Sequence, residues 1–172
     1  MTEVSEAGEP PVVDEATERQ VERLAGAIYG TILVAGVLAA TSGDKADLVD
    51  TALYVFSTVL VFWLAHAWAD SLARRVTATR RGLKGFRTTL ANQWPLVQSA
   101  FPPIAVMIVA SVLGADDERA ITWGAWSCVV LLAGWGIVVA RKEKESPGGI
   151  VVTSVACAAL GIVMIGLKSI LN

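Results

Sequence analysis

Residues 120–140 read AITWGAWSCVVLLAGWGIVVA, which is a run of 21 residues without a single charge. A hydrocarbon core of about 30 Å is crossed by roughly 20 apolar residues of α-helix, at about 1.5 Å per residue. The run therefore has the length and composition of one membrane-spanning helix. In the whole chain of 172 residues, 54% are hydrophobic and 17% are charged, which argues against a water-soluble enzyme domain.

Four more uncharged stretches of similar length lie on either side of this run. Lipid offers no water to unpaired backbone N–H and C=O groups, so spans of this length must be α-helical. The sequence predicts an all-α, multi-pass integral membrane helical bundle with about five transmembrane helices, within a transmembrane domain at 24–172. The expected spans lie near residues 24–40, 51–69, 94–115, 120–140 and 148–167.

Lys and Arg residues fall unevenly on the two sides of the predicted bundle. With the N-terminus in the cytoplasm, eleven of the 14 basic residues lie on the cytoplasmic side and three lie outside. Cytoplasmic loops carry the excess of positive charge in membrane proteins. We therefore expect a plasma (inner) membrane protein, with a cytoplasmic N-terminus and the C-terminus outside. Its Ala-, Val- and Gly-rich composition, with more Arg than Lys, is typical of bacteria.

Residues 1–23 precede the first span and are acidic, with two prolines and no aromatic residue. Such a segment buries too little apolar surface to order itself alone. We expect a disordered cytoplasmic tail, and the alternative is that it pairs with the basic loop of its own protein.

That basic loop lies between the second and third spans, at residues 71–93. Apolar residues recur there at three- and four-residue steps, which favours an amphipathic cytoplasmic helix on the membrane surface. Each cation near the surface is attracted to anionic lipid by about 1 kcal/mol. The loop is therefore expected either to anchor the topology or to bind anionic lipids of the inner leaflet. Its basic residues are Arg74, Arg75, Arg80, Arg81, Lys84 and Arg87.

His66 and Asp70 lie at the end of the second span and are four residues apart. This spacing puts them on one helical face, where a carboxylate favours the protonated imidazole. The pair is a candidate for proton or cation movement. The alternative is an interfacial ion pair between Asp70 and Arg74, because His66 is only about 6 Å inside the expected membrane edge.

The third span contains a double proline, Pro102 and Pro103, about 12 Å from its start. Proline has no N–H, so the carbonyl groups of Gln98 and Ser99 lose their helical donors. Discontinuous helices form substrate and ion sites in transporters, and here the side chains of Gln98 and Ser99 add ligands at the same break. The alternative is a kink without a function. Gln98 lies as deep as His66, so both are expected to line a cytoplasm-facing vestibule.

Small residues spaced by four allow helix backbones to approach closely within a membrane. We expect helix contacts, within one chain or between chains, at three such groups. They are Gly26 with Gly30, Gly36 with Ala40, and the series Thr153, Cys157 and Gly161.

The sequence contains no G-x-x-x-x-G-K-[ST], H-E-x-x-H, C-x-x-C or G-x-S-x-G motif, so an enzyme is not expected. One histidine and two cysteines inside spans do not make a metal site, and no cofactor or nucleic acid is expected. The favoured hypothesis is a small, oligomeric channel or transporter for protons or small ions. The alternative is an accessory or scaffold protein that binds another membrane protein and anionic lipid. An intramembrane enzyme would have to work with one histidine and one carboxylate.

Overall fold

The structure is a computed structural model that describes residues 15–41, 43, 46–77 and 83–171. This part of the chain folds into helices joined by short turns. In chain order they are α1 (Glu15–Thr41), α2 (Leu48–Thr77), α3 (Leu83–Asn92), α4 (Trp94–Gln98), α5 (Phe101–Val112), α6 (Asp117–Lys142) and α7 (Pro147–Leu171).

Five helical segments are long and apolar enough to cross a membrane, which confirms the predicted all-α, multi-pass fold. The third of them combines the end of α3 with α4 and α5. The segments are Gln20–Thr41, Leu48–Ala73, Thr89–Val112, Asp117–Lys142 and Pro147–Gly166.

The first helix begins earlier than the predicted first span. α1 starts at Glu15, so residues 15–23 of the segment expected to be a disordered tail form its first turns. Residues 1–14 lie outside the described part of the chain.

The core is formed by α1 at the centre, with the third span and α6 packed against it. In the most apolar part of α1, 44% of the residues are buried, whereas in the most apolar part of α7 only 6% are buried. The helices α2, α5 and α7 therefore carry many exposed apolar side chains, as expected of a protein embedded in a lipid bilayer. The core residues are Val34, Ala35, Leu38, Val55, Val59, Leu96, Val97, Ala100, Met107, Ile121, Ala125 and Cys128.

Aspartates hold together the turns at one end of the bundle. The Asp116 side chain caps α6 by accepting the Arg119 N–H at 2.9 Å. Asp117 reaches across to α2 and accepts the Leu48 N–H at 3.2 Å. Each bond satisfies an N–H group that has no partner inside its own helix. The start of α6 is thereby tied to the start of α2.

Glycines mark the closest approaches between helices. A Cβ atom built on Gly30 of α1 would lie 2.6 Å from the Leu96 carbonyl oxygen of α4. Gly26, one turn earlier, is also buried and faces Gln93 and Leu96. The Gly26 and Gly30 pair therefore lies against the third span, and α1 approaches α4 backbone to backbone.

The other predicted small residues contact α6, α7 or neighbouring loops. Gly36 lies against Met164 of α7, and Gly161 is buried against α6. Thr153 donates its hydroxyl hydrogen to the Glu145 carboxylate at 3.1 Å, and Cys157 is half-buried.

Two further glycines of α6 allow close packing that the four-residue spacing did not identify. Gly136 faces the backbone of Ser154, whose hydroxyl group donates to the Ala133 carbonyl oxygen at 3.0 Å. Gly124 faces Met107 of α5. α6 is therefore in close contact with α7 on one side and with α5 on the other.

Candidate functional site

The third span is interrupted at the double proline. α4 ends at Gln98 and α5 begins at Phe101. The two residues between them keep right-handed helical torsions, with φ −65° and ψ −19° at Ser99 and φ −78° and ψ −26° at Ala100. The interruption is therefore a loss of hydrogen bonds along a chain that continues in helical form.

Backbone hydrogen bonds around the interruption leave two carbonyl groups without a helical donor. The Ser99 N–H donates to Pro95 and the Ala100 N–H donates to Val97, both at 3.1 Å. The Ser99 hydroxyl donates to the Leu96 carbonyl at 2.6 Å. Within the described ranges, no backbone N–H donates to the carbonyl oxygens of Gln98 or Ser99. These are the two carbonyls that the double proline is expected to free.

Another carbonyl without a helical donor, that of Leu90, accepts a hydrogen bond from another helix. The turn at Gln93 separates α3 from α4, and the indole N–H of Trp63 in α2 donates to the Leu90 carbonyl oxygen at 3.2 Å. The Trp63 ring also meets Trp94 edge to face, with 5.7 Å between ring centroids. Sequence reasoning missed this contact, because a tryptophan near the end of a span is also typical of the aromatic belt at the membrane surface.

Replacing Trp63 with Phe should destabilise the bundle by about 1 kcal/mol, since a hydrogen bond within a membrane is worth about that much. The ring remains, but the Leu90 carbonyl loses its donor. The free energy of unfolding in mixed micelles measures the effect. Trp123→Phe is the matched control, because Trp123 is 62% exposed. Equal losses in both variants would contradict a specific role for the bond.

A cavity of about 340 Å³ lies beside the interruption, and we call it the vestibule. One stripe of residues from each of α1, the third span and α6 lines it. Those residues are Gln20, Arg23, Leu24, Ala27, Thr31, Pro95, Gln98, Ser99, Pro102, Leu131, Trp135, Val138 and Lys142.

The vestibule exists because the third span changes its neighbours along its length. α4 packs on α1 and α2, whereas α5 packs on α6. In the described chain α4 and α6 do not pack closely together, so a space remains between them with α1 behind it. The vestibule lies at the end of the bundle where α1 begins and α6 ends, which we call the basic end. This is the end that the distribution of Lys and Arg predicts to be cytoplasmic.

The walls of the vestibule are chemically graded. Arg23 and Lys142 are exposed at the basic end, and the exposed Gln98 lies with them on the lining. Two buried hydroxyl groups, those of Thr31 and Ser99, lie deeper in the vestibule. The Thr31 hydroxyl donates to the Ala27 carbonyl oxygen of its own helix at 2.8 Å. Ser99 does the same toward Leu96, so both hydroxyl oxygens keep free acceptor positions.

The structure brings Gln98, Ser99 and Pro102 together on this lining, but His66 is not among the lining residues. His66 is exposed on α2, and its ring stacks on Tyr29 and Phe62 at centroid distances of 6.4 and 6.1 Å. Asp70 is half-buried one turn further along α2.

Pro103 is buried behind the vestibule rather than on its surface. Its carbonyl oxygen lies toward Gly124 of α6, in the close contact between α5 and α6. The double proline thus has one exposed member on the vestibule, Pro102, and one member in the core.

The proposed lipid-binding residues fall mostly outside the described residues. Arg80 and Arg81 lie in the undescribed segment, and the side chains of Arg74, Arg75 and Lys84 are also not described. Arg87 is exposed on α3.

No group of three or more His, Cys, Asp or Glu side chains is positioned to hold a metal ion in the described part of the chain. Both Cys128, which is buried, and Cys157 are free thiols.

No known protein family, curated protein or solved structure matches this chain.

Proposed function

We propose that the protein is a small membrane channel or transporter whose substrate enters through the vestibule. The observation that supports this most directly is the position of the cavity at the interruption of the third span. Freed carbonyls and polar side chains at such interruptions form the substrate and ion sites of transporters with discontinuous helices. Backbone carbonyls without a helical donor are tolerated at membrane depth where they line a cavity.

The extent of the vestibule favours a gated mechanism over an open pore. Beyond Thr31, the next turns of α1 carry Val34 and Leu38, which are fully buried in the apolar core. Ala100 of the third span is fully buried in the same core. A substrate that enters from the basic end therefore needs a movement of the third span relative to α1 or α6 before it crosses.

Flux into proteoliposomes of the purified protein tests this function, with protons, K⁺, Na⁺ and Cl⁻ as the first ions. Gln98→Ala should lower the flux about fivefold, since it removes a side chain that offers both donors and acceptors to a substrate. Circular dichroism and thermal unfolding of each variant establish that it is folded.

His66→Ala is the matched variant, because counting residues along the spans predicts a depth for His66 similar to that of Gln98, whereas His66 does not line the vestibule. If one chain contains the whole path, this variant should keep the native flux. A loss of flux in His66→Ala alone would place the path on the outer face of α2, at a contact between chains. Absence of flux for all four ions, from folded and inserted protein, would favour the accessory or scaffold function.

A further inference from the structure

Two cations, Arg23 and Lys142, are among the described residues that line the vestibule, and no carboxylate is among them. Arg23 comes from α1 and Lys142 is the last residue of α6, and both side chains are exposed at the basic end. No acidic residue occurs among the described residues that line the cavity. The adjacent acids in sequence, Glu22 and Glu143, are not part of the lining. Among the described residues, the lining thus carries two positive charges and no negative one.

The opposite part of the lining is apolar. Leu131, Trp135 and Val138 recur at helical spacing along α6 and continue the stripe away from Lys142 into the membrane. Leu24 and Ala27 do the same on α1 beyond Arg23. A ligand that lies along both stripes meets positive charge at one end and hydrocarbon along its body.

The lining also includes exposed residues on both the third span and α6. Pro102 and Val138 are exposed on these two facing elements, and α4 does not pack closely on α6 in the described chain. A ligand reaches such a space either from the water at the basic end or from the adjacent leaflet of the bilayer. Basic pockets between transmembrane helices bind lipid head groups by the same chemistry.

We propose that the vestibule binds an anionic amphiphile, a molecule with a single carboxylate or phosphate group and an apolar body. Arg23 and Lys142 hold the anionic group, and the α6 stripe with Trp135 holds the apolar body. Gln98 donates a hydrogen bond beside the anionic group. If this amphiphile is the transported substrate, the inference rests on the proposed transport function. It disfavours protons and metal cations, because two cations repel them and the described lining offers no carboxylate.

Quenching of Trp135 fluorescence tests the binding, with the full-length protein in nanodiscs. One probe is a bromine-labelled phosphatidylglycerol, and its control is the equally labelled zwitterionic phosphatidylcholine. The second probe is a bromine-labelled medium-chain fatty acid added from water. Only the quenching that disappears in Trp135→Phe is counted, because the chain contains six tryptophans.

Arg23→Gln and Lys142→Gln should each weaken the binding of the anionic probe about fivefold, and the double variant roughly 25-fold. Arg23→Lys should keep the binding, and added salt should weaken it. Arg141→Gln is the matched control, since Arg141 precedes Lys142 on α6, is exposed and does not line the vestibule. All of these side chains are exposed, so the variants should fold as the native chain does.

Preference for phosphatidylglycerol over phosphatidylcholine supports the proposal and assigns the membrane as the source. Saturable quenching by the fatty acid supports it and assigns the aqueous source. Equal quenching by both lipids together with none by the fatty acid overturns it, and so does an Arg141→Gln effect equal to that of Lys142→Gln. Binding of a probe without its transport would refute the proposed transport function but would leave the proposed binding site intact. Flux of small ions without amphiphile binding would refute this inference alone.

Discussion

Replacing Gly30 with Ala is expected to destabilise the bundle by about 1–3 kcal/mol, the usual cost of overpacking a well-packed core. The added Cβ would lie 2.6 Å from the Leu96 carbonyl oxygen and would overlap the Ser99 hydroxyl. The Leu96 contact is with the backbone of α4, which cannot yield as the end of a flexible side chain does, and Ser99 directly follows α4. The helices must separate, and the core residues Val34 and Leu96 on either side of the contact lose packing.

The matched control is Gly134→Ala, also within a transmembrane helix. No atom lies within 4 Å of the position where its Cβ would be built. This substitution should be neutral or should stabilise the protein by up to about 1 kcal/mol, because Ala is the better helix former. Unfolding of both variants in mixed micelles measures the difference. Equal stabilities would show that α1 and α4 do not approach at Gly30 as described.

The spans were predictable because a membrane imposes a length on every crossing helix. Uncharged runs of about 20 residues identify such helices without any knowledge of their neighbours. The third span was harder to delimit, since it begins at Thr89 rather than near residue 94. The polar residues Thr89 and Asn92 at the end of α3, and Gln93 in the turn after it, do not resemble a membrane segment. In the structure two of them are buried, and the Leu90 carbonyl is satisfied by Trp63.

For the candidate site, the sequence predicted how deep its residues lie in the membrane but not which way their side chains face. Counting residues from the membrane edge assigned Gln98 and His66 to a similar depth. The direction that each side chain faces is set by helix packing, and lipid is as apolar as the core, so no amphipathic pattern reveals it. Gln98 therefore lines the vestibule while His66 stacks on Tyr29.

The contribution of α6 to the vestibule was also missed, although a signal for it existed. Leu131, Trp135, Val138 and Lys142 follow one another at helical spacing. A tryptophan and a lysine on one face are also what an aromatic belt and a helix end provide at the membrane surface. This stripe lines a cavity only because α5 packs on α6 while α4 packs on α1 and α2 instead.

Replacing Pro102 and Pro103 together with Ala should raise stability and lower transport. The new N–H groups of residues 102 and 103 would donate to the carbonyls of Gln98 and Ser99, closing the interruption. Two such bonds within a membrane should stabilise the bundle by about 1–2 kcal/mol. If the freed carbonyls bind substrate, the flux should fall by about tenfold, since two ligand groups become occupied.

The opposite signs of these two effects make the double variant informative, because a merely damaged protein loses stability and transport together. Pro102→Ala alone should give a smaller change of the same kind, as Pro102 lines the vestibule and its N–H would occupy only the Gln98 carbonyl. Pro147→Ala is the control, because Pro147 is the first residue of α7, where a missing N–H has no helical partner. Increased stability with native flux would show that the double proline only interrupts hydrogen bonding, and the path would then have to avoid the carbonyls of Gln98 and Ser99.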